Sequence, residues 1–514
     1  MTIVCENCGH LNGGTTSIDS NPVCARNTIA DQRAALAKLN AEIAHFKTHA
    51  EGHIAALEEK RQSILECLGG VVYPILTLPA EITSRIFIQC LPHHGRVRHS
   101  PYSAPLLLTG ICGQWRAIAL STGELWSSLD VDIDVLWPGR DDVLRMWFPR
   151  AKGYPLSWTI RPPTYGLTYD GSVLAAHIAD IIPKLRRLEV NSIPEGQFHS
   201  LVPLDTPLPL LQCLSAPLSS DTLQDILRCA PNLREVRIWS CMPNFHVASK
   251  SLLSLELTGR MRNNRRMSYN IDVFLSILEN CPLLSHLKIP VHVAPEAHIP
   301  TTPITFPQLR SLTFLRSSGV VRALDFVTLP NLTHLDGRRE MTITPNIFQP
   351  FLLRSSCVIK DLACRSRPAP KYVEAELGMF PWVETLEVYI PDDIETLRPV
   401  LFWLDPDKMT LVPQLRHITI KTSTIKAINF TRIVDLLKRR RGLQSFRVIG
   451  PYTPDEEKDD PWWRPGRTTA AELEALRSLG VRFSTHIWTY GYHGDDAPDL
   501  EVWPKKDPYE YFHD

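Results

Sequence analysis

Long apolar runs are missing from this sequence. The longest, around Val71–Leu78 and Ala104–Cys112, fall far short of the roughly 20 residues needed to span a bilayer, so no membrane partner is expected. Met1–Leu11 has no basic segment followed by an apolar block, so no secretory signal is expected either. Charge of one sign is missing too. Lys plus Arg is 55 and Asp plus Glu is 55, a formal net charge of zero, which argues against nucleic acid as the main partner. Twelve cysteines in 514 residues are too sparse for a disulfide framework. Reduced thiols in the cytoplasm or nucleus are the simpler reading. No P-loop, G-x-G-x-x-G, G-x-S-x-G or H-E-x-x-H occurs, and the 18 histidines show no ligand pattern. No catalytic residue and no cofactor is therefore expected.

What is present is an ordinary globular composition, 44% hydrophobic and 21% charged, able to bury a large core. The length suggests two to four units or one long repeat array. Proline is the outlier, with 42 residues, about twice its usual share near 5 per cent.

Residues 1–28 read as a polar, disordered tail. Cys5-x-x-Cys8, His10 and Cys24 are zinc-ligand types, but a second Cys-x-x-Cys pair is absent, so free thiols in a tail are the reading and no metal is expected, with a zinc site as the alternative. Over 29–69, Leu36, Leu39, Ile43, Phe46, Ala50, His53, Leu57, Lys60, Ile64 and Cys67 step by three and four. That is a heptad seam on a helix of good helix formers, weakened by His53 and Lys60 and ended by Gly69-Gly70. Two readings are open: self-association as a coiled coil, or a single helix lying on its own domain.

Residues 75–130 read as a short helical module. Leu78-Pro79-Ala80-Glu81-Ile82 opens a helix carrying Ile86, Phe87, Cys90 and Leu91, stopped by Pro92. After a polar loop, His93–Ser103, a second helix is expected from about Pro105, with Leu108, Ile111, Cys112, Trp115 and Ala119 on one face and Arg116 beside it. Leu125, Trp126 and Leu129 form a third apolar cluster. Three short helices bury little area by themselves, so a docking partner or a cap on the following array is expected to cover the remainder.

A phrase then recurs: Pro, x, apolar, two residues, apolar, x, apolar. It begins at Pro183, Pro209, Pro231, Pro282, Pro307, Pro330, Pro381 and Pro413, and lacks its proline at Leu252–Leu257 and Leu443–Val448. A fixed phrase at such a period signals a solenoid. Each phrase ends as a short strand, with helices expected at Asp221–Cys229, Ile271–Asn280, Ile347–Leu353, Ile394–Leu404 and Phe430–Arg440. Proline punctuates each unit because it ends helices and is excluded from central strands. The array is placed at 181–489. Residues 131–180 read as a connecting or capping region with a strand near Leu156–Ile160, Val481–Thr489 as a last strand, and 490–514 as a tail. A non-repeating α/β domain is the alternative.

The order Leu78-Pro79-x-Glu81-Ile82-x3-Ile86-Phe87, then Cys112-x2-Trp115-Arg116-x2-Ala119 and Leu125-Trp126, resembles an F-box over about 50 residues. The long His93–Ala104 connection departs from that pattern. The phrase resembles a degenerate leucine-rich repeat without the regular Asn or Cys ladder. The fold class expected is thus an α/β solenoid: an irregular leucine-rich-repeat-like horseshoe, preceded by a three-helix F-box-like module and an N-terminal coiled-coil helix. The resemblance implies a non-catalytic substrate receptor of a cullin-RING ubiquitin ligase. It implies contact with a Skp-type adaptor through Leu78, Pro79, Glu81, Ile82, Ile86, Phe87, Leu91, Leu108, Cys112, Trp115, Arg116, Leu125 and Trp126, with an unidentified protein target held by the array. A scaffold outside any ligase, dimerising through 29–69, is the rival. The basic clusters Arg260–Arg266 and Lys438–Arg441 read as solvated surface rather than an RNA or phosphopeptide site.

Overall fold

The computed structural model describes residues 22–69, 74–92, 95–132, 142–161, 179–191, 195–203, 205–239, 245–258, 268–294, 302–315, 320–337, 341–365, 378–390, 411–422, 436–439, 442–452 and 482–489, with a few single residues between them. It divides into two units, Met1–Ile82 and Thr83–Asp514.

The first unit is dominated by helix α1, Pro22–Gly69. Pro22 takes the first helical position, where its missing N–H costs no hydrogen bond. The helix therefore begins before Ile29, and the tail expected over 1–28 is corrected for 22–28. Helix formers such as Ala25 and Arg26 extend α1 without needing the apolar seam. Cys24 lies in this helix, whereas Cys5, Cys8 and His10 fall outside the described residues. Among the described residues, no group of His, Cys, Asp or Glu is placed to hold a metal, and no helix is long and apolar enough to cross a membrane.

The second unit is built on one parallel sheet. Its strands, with four two-residue strands beside it, are β1 (Ser128–Asp132), β2 (Leu156–Arg161), β3 (Leu185–Val190), β4 (Cys213–Ala216), β5 (Glu235–Ile238), β6 (Ser254–Leu257), β7 (Tyr269–Asn270), β8 (His286–Ile289), β9 (Val291–His292), β10 (Ile304–Thr305), β11 (Ser311–Phe314), β12 (Val327–Thr328), β13 (His334–Asp336), β14 (Asp361–Arg365), β15 (Thr385–Ile390), β16 (His417–Thr422), β17 (Ser445–Tyr452) and β18 (Arg482–Thr489). Fourteen of them form the main sheet in chain order, β1-β2-β3-β4-β5-β6-β8-β11-β13-β14-β15-β16-β17-β18. Such an order, parallel throughout, makes this an α/β solenoid.

The register follows from the phrase. Leu188, Leu214, Val236, Leu255, Leu287, Leu312, Leu335, Leu362, Leu386, Ile418 and Phe446 are successive cross-strand partners, and all are buried. Leu129 and Trp158 extend the row backwards, and Phe483 takes the same register position on β18. Beneath this row lie Leu223 and Ile226 of helix Ser220–Cys229, Phe274 and Ile277 of Ile271–Asn280, and Phe348 and Phe351 of Pro345–Ser355. Helices Ile394–Leu404 and part of Phe430–Arg440 fall outside the described residues, as do Arg260–Arg266; residues 436–439 are helical.

Proline acts where the phrase places it. Helix Ser220–Cys229 ends at Ala230 and Pro231 opens the turn, while Ile271–Asn280 ends at Cys281 before Pro282. Each unit is then tied to the one before. The N–H groups of Thr333 and His334 both donate to the Arg310 carbonyl, those of Lys360 and Asp361 to Thr333, and those of Glu384 and Thr385 to Lys360. Two units add a side-chain tie: Asn232 donates to the Pro209 carbonyl at 2.7 Å and Asn331 to that of Pro307 at 2.8 Å.

Two boundaries change. The sheet begins at Ser128, so β1 and β2 belong to the array, which is not confined to 181–489, and 131–180 is not merely a connection. The His93–Ala104 connection has a structural task. From Gly95 onward it lies along the free edge of β1. The Asp130 N–H donates to the Val97 carbonyl at 2.7 Å, Arg98 bridges to Asp130, and Val97 is buried. Arg96 reaches past β1 to Glu189 of β3 at 2.8 Å. An exposed strand edge is thereby covered.

Leu312→Ala in mid-row is expected to cost about 2–5 kcal/mol, read as a lower urea midpoint. Ser311→Ala, whose side chain points to the other face, is expected to move stability by about 0.5 kcal/mol at most.

Candidate functional site

Two surfaces carry recognisable chemistry: the helical module and the open face of the sheet. The module starts with α2, Ala80–Gln89, with Glu81 in its first turn. Helical spacing turns Thr83 and Phe87 inward and leaves Ile82 47% and Ile86 39% exposed. The helix expected from Pro105 is two helices, α3 (Leu106–Ile111) and α4 (Gly113–Ser121). The break is at Cys112, in extended conformation, whose sulfur accepts the Trp115 N–H at 3.4 Å as the cap of α4. The glycines at 110 and 113 signal this interruption in the sequence.

The break redistributes the apolar residues. Leu108 is buried, but Leu107 is 45% and Ile111 53% exposed. α2 and α3 therefore each offer an exposed apolar pair four residues apart, Ile82 with Ile86 and Leu107 with Ile111. The second pair was not expected, since Ile111 was placed on the inward face. The run Leu106-Leu107-Leu108 is its signal, because a single helix cannot bury three consecutive side chains.

The interior of the module is fixed by rings. Phe87 packs on Trp115 with centroids 4.9 Å apart. The third apolar cluster does not lie on an α-helix. Gly123–Trp126 forms a tight 3-10 turn, and Leu129 already belongs to β1. Trp126 donates its indole N–H to the Ala119 carbonyl at 2.9 Å, meets Trp147 edge-on at 4.8 Å, and lies under the Arg150 guanidinium at 4.5 Å. Gly123 is required by this packing, since a Cβ there would stand 2.7 Å from the Ala151 carbonyl oxygen.

Of the residues expected to meet an adaptor, Phe87, Leu108, Leu125 and Trp126 are buried and pack the inside of the module. Leu78, Leu91, Cys112 and Trp115 are half-buried. Pro79, Glu81, Ile82, Ile86 and Arg116 are exposed. Arg116 is tethered through its Nε–H to the Thr109 carbonyl at 2.8 Å, which ties α4 to α3. His93 and His94 lie outside the described residues.

The open face of the sheet carries the residues that alternate with the buried row, including the buried carboxylates Asp130 and Glu189, and most of the opposite charges stand on adjacent strands. Arg161 pairs with Asp130 at 2.8 Å and Asp132 at 3.3 Å. Glu189 receives Arg96 and, at 3.2 Å, Arg187. Glu256 joins Arg237 at 3.4 Å and also Lys288. Lys421 pairs with Glu387 at 2.7 Å and donates to the Tyr389 hydroxyl at 3.1 Å. This is a mixed, self-matched polar surface, not a field of one sign. Cys213 lies on it with its S–H toward Glu235. Burial, aided by that carboxylate, pushes its thiol up to about 11. A thiol so protonated at neutral pH is a poor nucleophile.

No protein-family model and no curated protein matches the chain. Among solved structures, the crystal structure of a TLR13–ssRNA13 complex is similar at 13% identity and a TM-score of 0.27, over 62% of this chain and 44% of that one. This chain thus spans less than half of that structure's length. The solenoid rests on the strand register, not on that likeness.

Two outcomes follow. Phe87→Ala is expected to destabilise by about 3–5 kcal/mol, whereas Ile86→Ala is expected to change the melting temperature little. In a maleimide time course at pH 7 read by mass spectrometry, exposed Cys67 and Cys90 should label well before Cys213. Labelling of Cys213 should accelerate as pH rises toward 11.

Proposed function

We propose that this chain is the substrate-recognition subunit of an SCF-type ubiquitin ligase. The F-box-like module would dock a Skp-type adaptor, and the array, an irregular leucine-rich-repeat-like horseshoe, would hold a protein target. The observation that carries this reading is the ordered motif itself, Leu78-Pro79-x-Glu81-Ile82 through Trp115-Arg116 to Leu125-Trp126. The apolar pairs that α2 and α3 leave exposed support it. Soluble chains keep such side chains uncovered in pairs where another protein covers them.

In this reading the adaptor meets the exposed residues of the motif, Pro79, Glu81, Ile82, Ile86 and Arg116, and the exposed Leu107 and Ile111 of α3. The chain itself performs no chemistry and needs no cofactor. It raises the local concentration of a bound target beside catalytic subunits elsewhere in the assembly. The open sheet face suits target binding: its alternating charges impose selectivity on a partner's charge pattern more than raw affinity.

The test is a titration of the full chain against a Skp-type adaptor, with Ile82→Asp and Ile86→Asp in parallel. The parent is expected to bind. Each variant should lose about 100-fold in affinity with its circular dichroism unchanged. A folded parent that binds no adaptor would make the module a structural cap and leave the scaffold reading in its place.

A further inference from the structure

The apolar side of α1 is exposed among the described residues. Residues 30–67 are exposed throughout, and Leu36, Ile43, Phe46, Ile54, Leu57 and Ile64 are each bare by half or more. A helix this long gains little from propensity alone and is normally held by packing of its apolar face.

The face is not the strict heptad seam. At 3.6 residues per turn, those six residues fall within about 80° of arc. His53, Lys60 and Cys67, which a strict seven-residue repeat would put on the seam, fall about 20°, 40° and 60° outside it. The straight stripe instead runs Leu36, Leu39, Ile43, Phe46, Ala50, then Ile54, Leu57, Arg61 and Ile64. Two steps of four around Ala50 are a stutter. It returns the pattern to the natural helical period and removes both polar residues from the seam.

The stutter makes the spacing symmetric about Ala50: steps of four, three, four and three run outward in both directions. We infer that α1 pairs with α1 of a second copy of this chain, antiparallel, about a two-fold axis at Ala50. Leu36 then meets Ile64 of the partner subunit, Ile43 meets Leu57 of the partner subunit, and Phe46 meets Ile54 of the partner subunit. Arg61 lies along Leu39 of the partner subunit. A parallel pair would instead set Arg61 against its own copy inside the seam.

The flanks agree. In the antiparallel pair each flank meets itself reversed. On one flank Glu42 comes level with Lys60 of the partner subunit, to within about 3 Å along the axis. On the other, Lys47 comes equally level with Glu51 of the partner subunit. Opposite charges at such flanking positions set partner choice and orientation. With about 100 Å² still open on each apolar side chain, two copies exceed the roughly 1,000 Å² a specific interface needs. The two Gly69 ends would stand about 57 Å apart.

The test uses the full chain in sedimentation equilibrium. The parent should sediment as a dimer. Ile54→Asp should weaken self-association about 100-fold, while His53→Asp leaves it within about threefold. The reverse order would restore the strict heptad and overturn the stutter. Orientation is read by oxidation and peptide mapping. A mixture of Leu36→Cys and Ile64→Cys chains should give a disulfide between those two positions. A Leu36→Cys chain linked to its own copy at that position would overturn the antiparallel arrangement. A parent that stays monomeric at high micromolar concentration would overturn the pairing altogether.

Discussion

Everything in the second unit hangs on one row of apolar side chains held at a common register. From Leu129 to Phe446 each strand contributes one buried residue to it, and parallel hydrogen bonding fixes its neighbour beside it. A slip of one residue at any strand would turn that residue to the open face and, at most strands, bring a polar or charged one into the core. The helices Ser220–Cys229, Ile271–Asn280 and Pro345–Ser355 bury their apolar residues in the same core. The bridging carbonyls of Arg310, Thr333 and Lys360 repeat because the row repeats. Their geometry is a consequence of stacking rather than an independent cause.

Much of this was legible where proline marked it. The prolines at 231, 282, 307, 330, 381 and 413 sit on helix ends and turns, so the strand two residues beyond the next apolar position could be located. β14 escaped because its unit carries Ile359, Leu362 and Cys364 without a proline. β1 escaped for another reason, whereas β2 matches the strand expected near Leu156–Ile160 and only its membership of the array was missed. Leu129-x-Val131 and Trp158-x-Ile160 alternate correctly, but Trp126 and the 3-10 turn before β1 made the first resemble the end of the helical module.

The module shows the limit of a motif. Spacing located the helices, yet side-chain orientation depended on the break at Cys112, which periodicity over a supposed continuous helix could not register. Phe87 and Trp126 are buried and the fold requires them, whereas Ile82 and Ile86 are exposed and the packing of the module does not use them. The string mixes both kinds, and only burial separates them. On α1 the seven-residue count placed His53 and Lys60 on the seam, whereas the angular count of a straight helix leaves both off it and brings in Arg61 alone.

The strip from Gly95 to Arg98 has a consequence for how the molecule divides. It leaves the helical module, runs along β1 and sends Arg96 as far as β3. The module is thus not a bead threaded before the array but the array's first wall. Cutting between them would bare a strand edge on one piece and strip the Phe87–Trp115 and Trp126–Trp147 rings of their support on the other. Such an edge is a template for pairing with other chains. The two parts share one packed junction, and a graft of the module onto a different array would have to bring β1 and β2 with it.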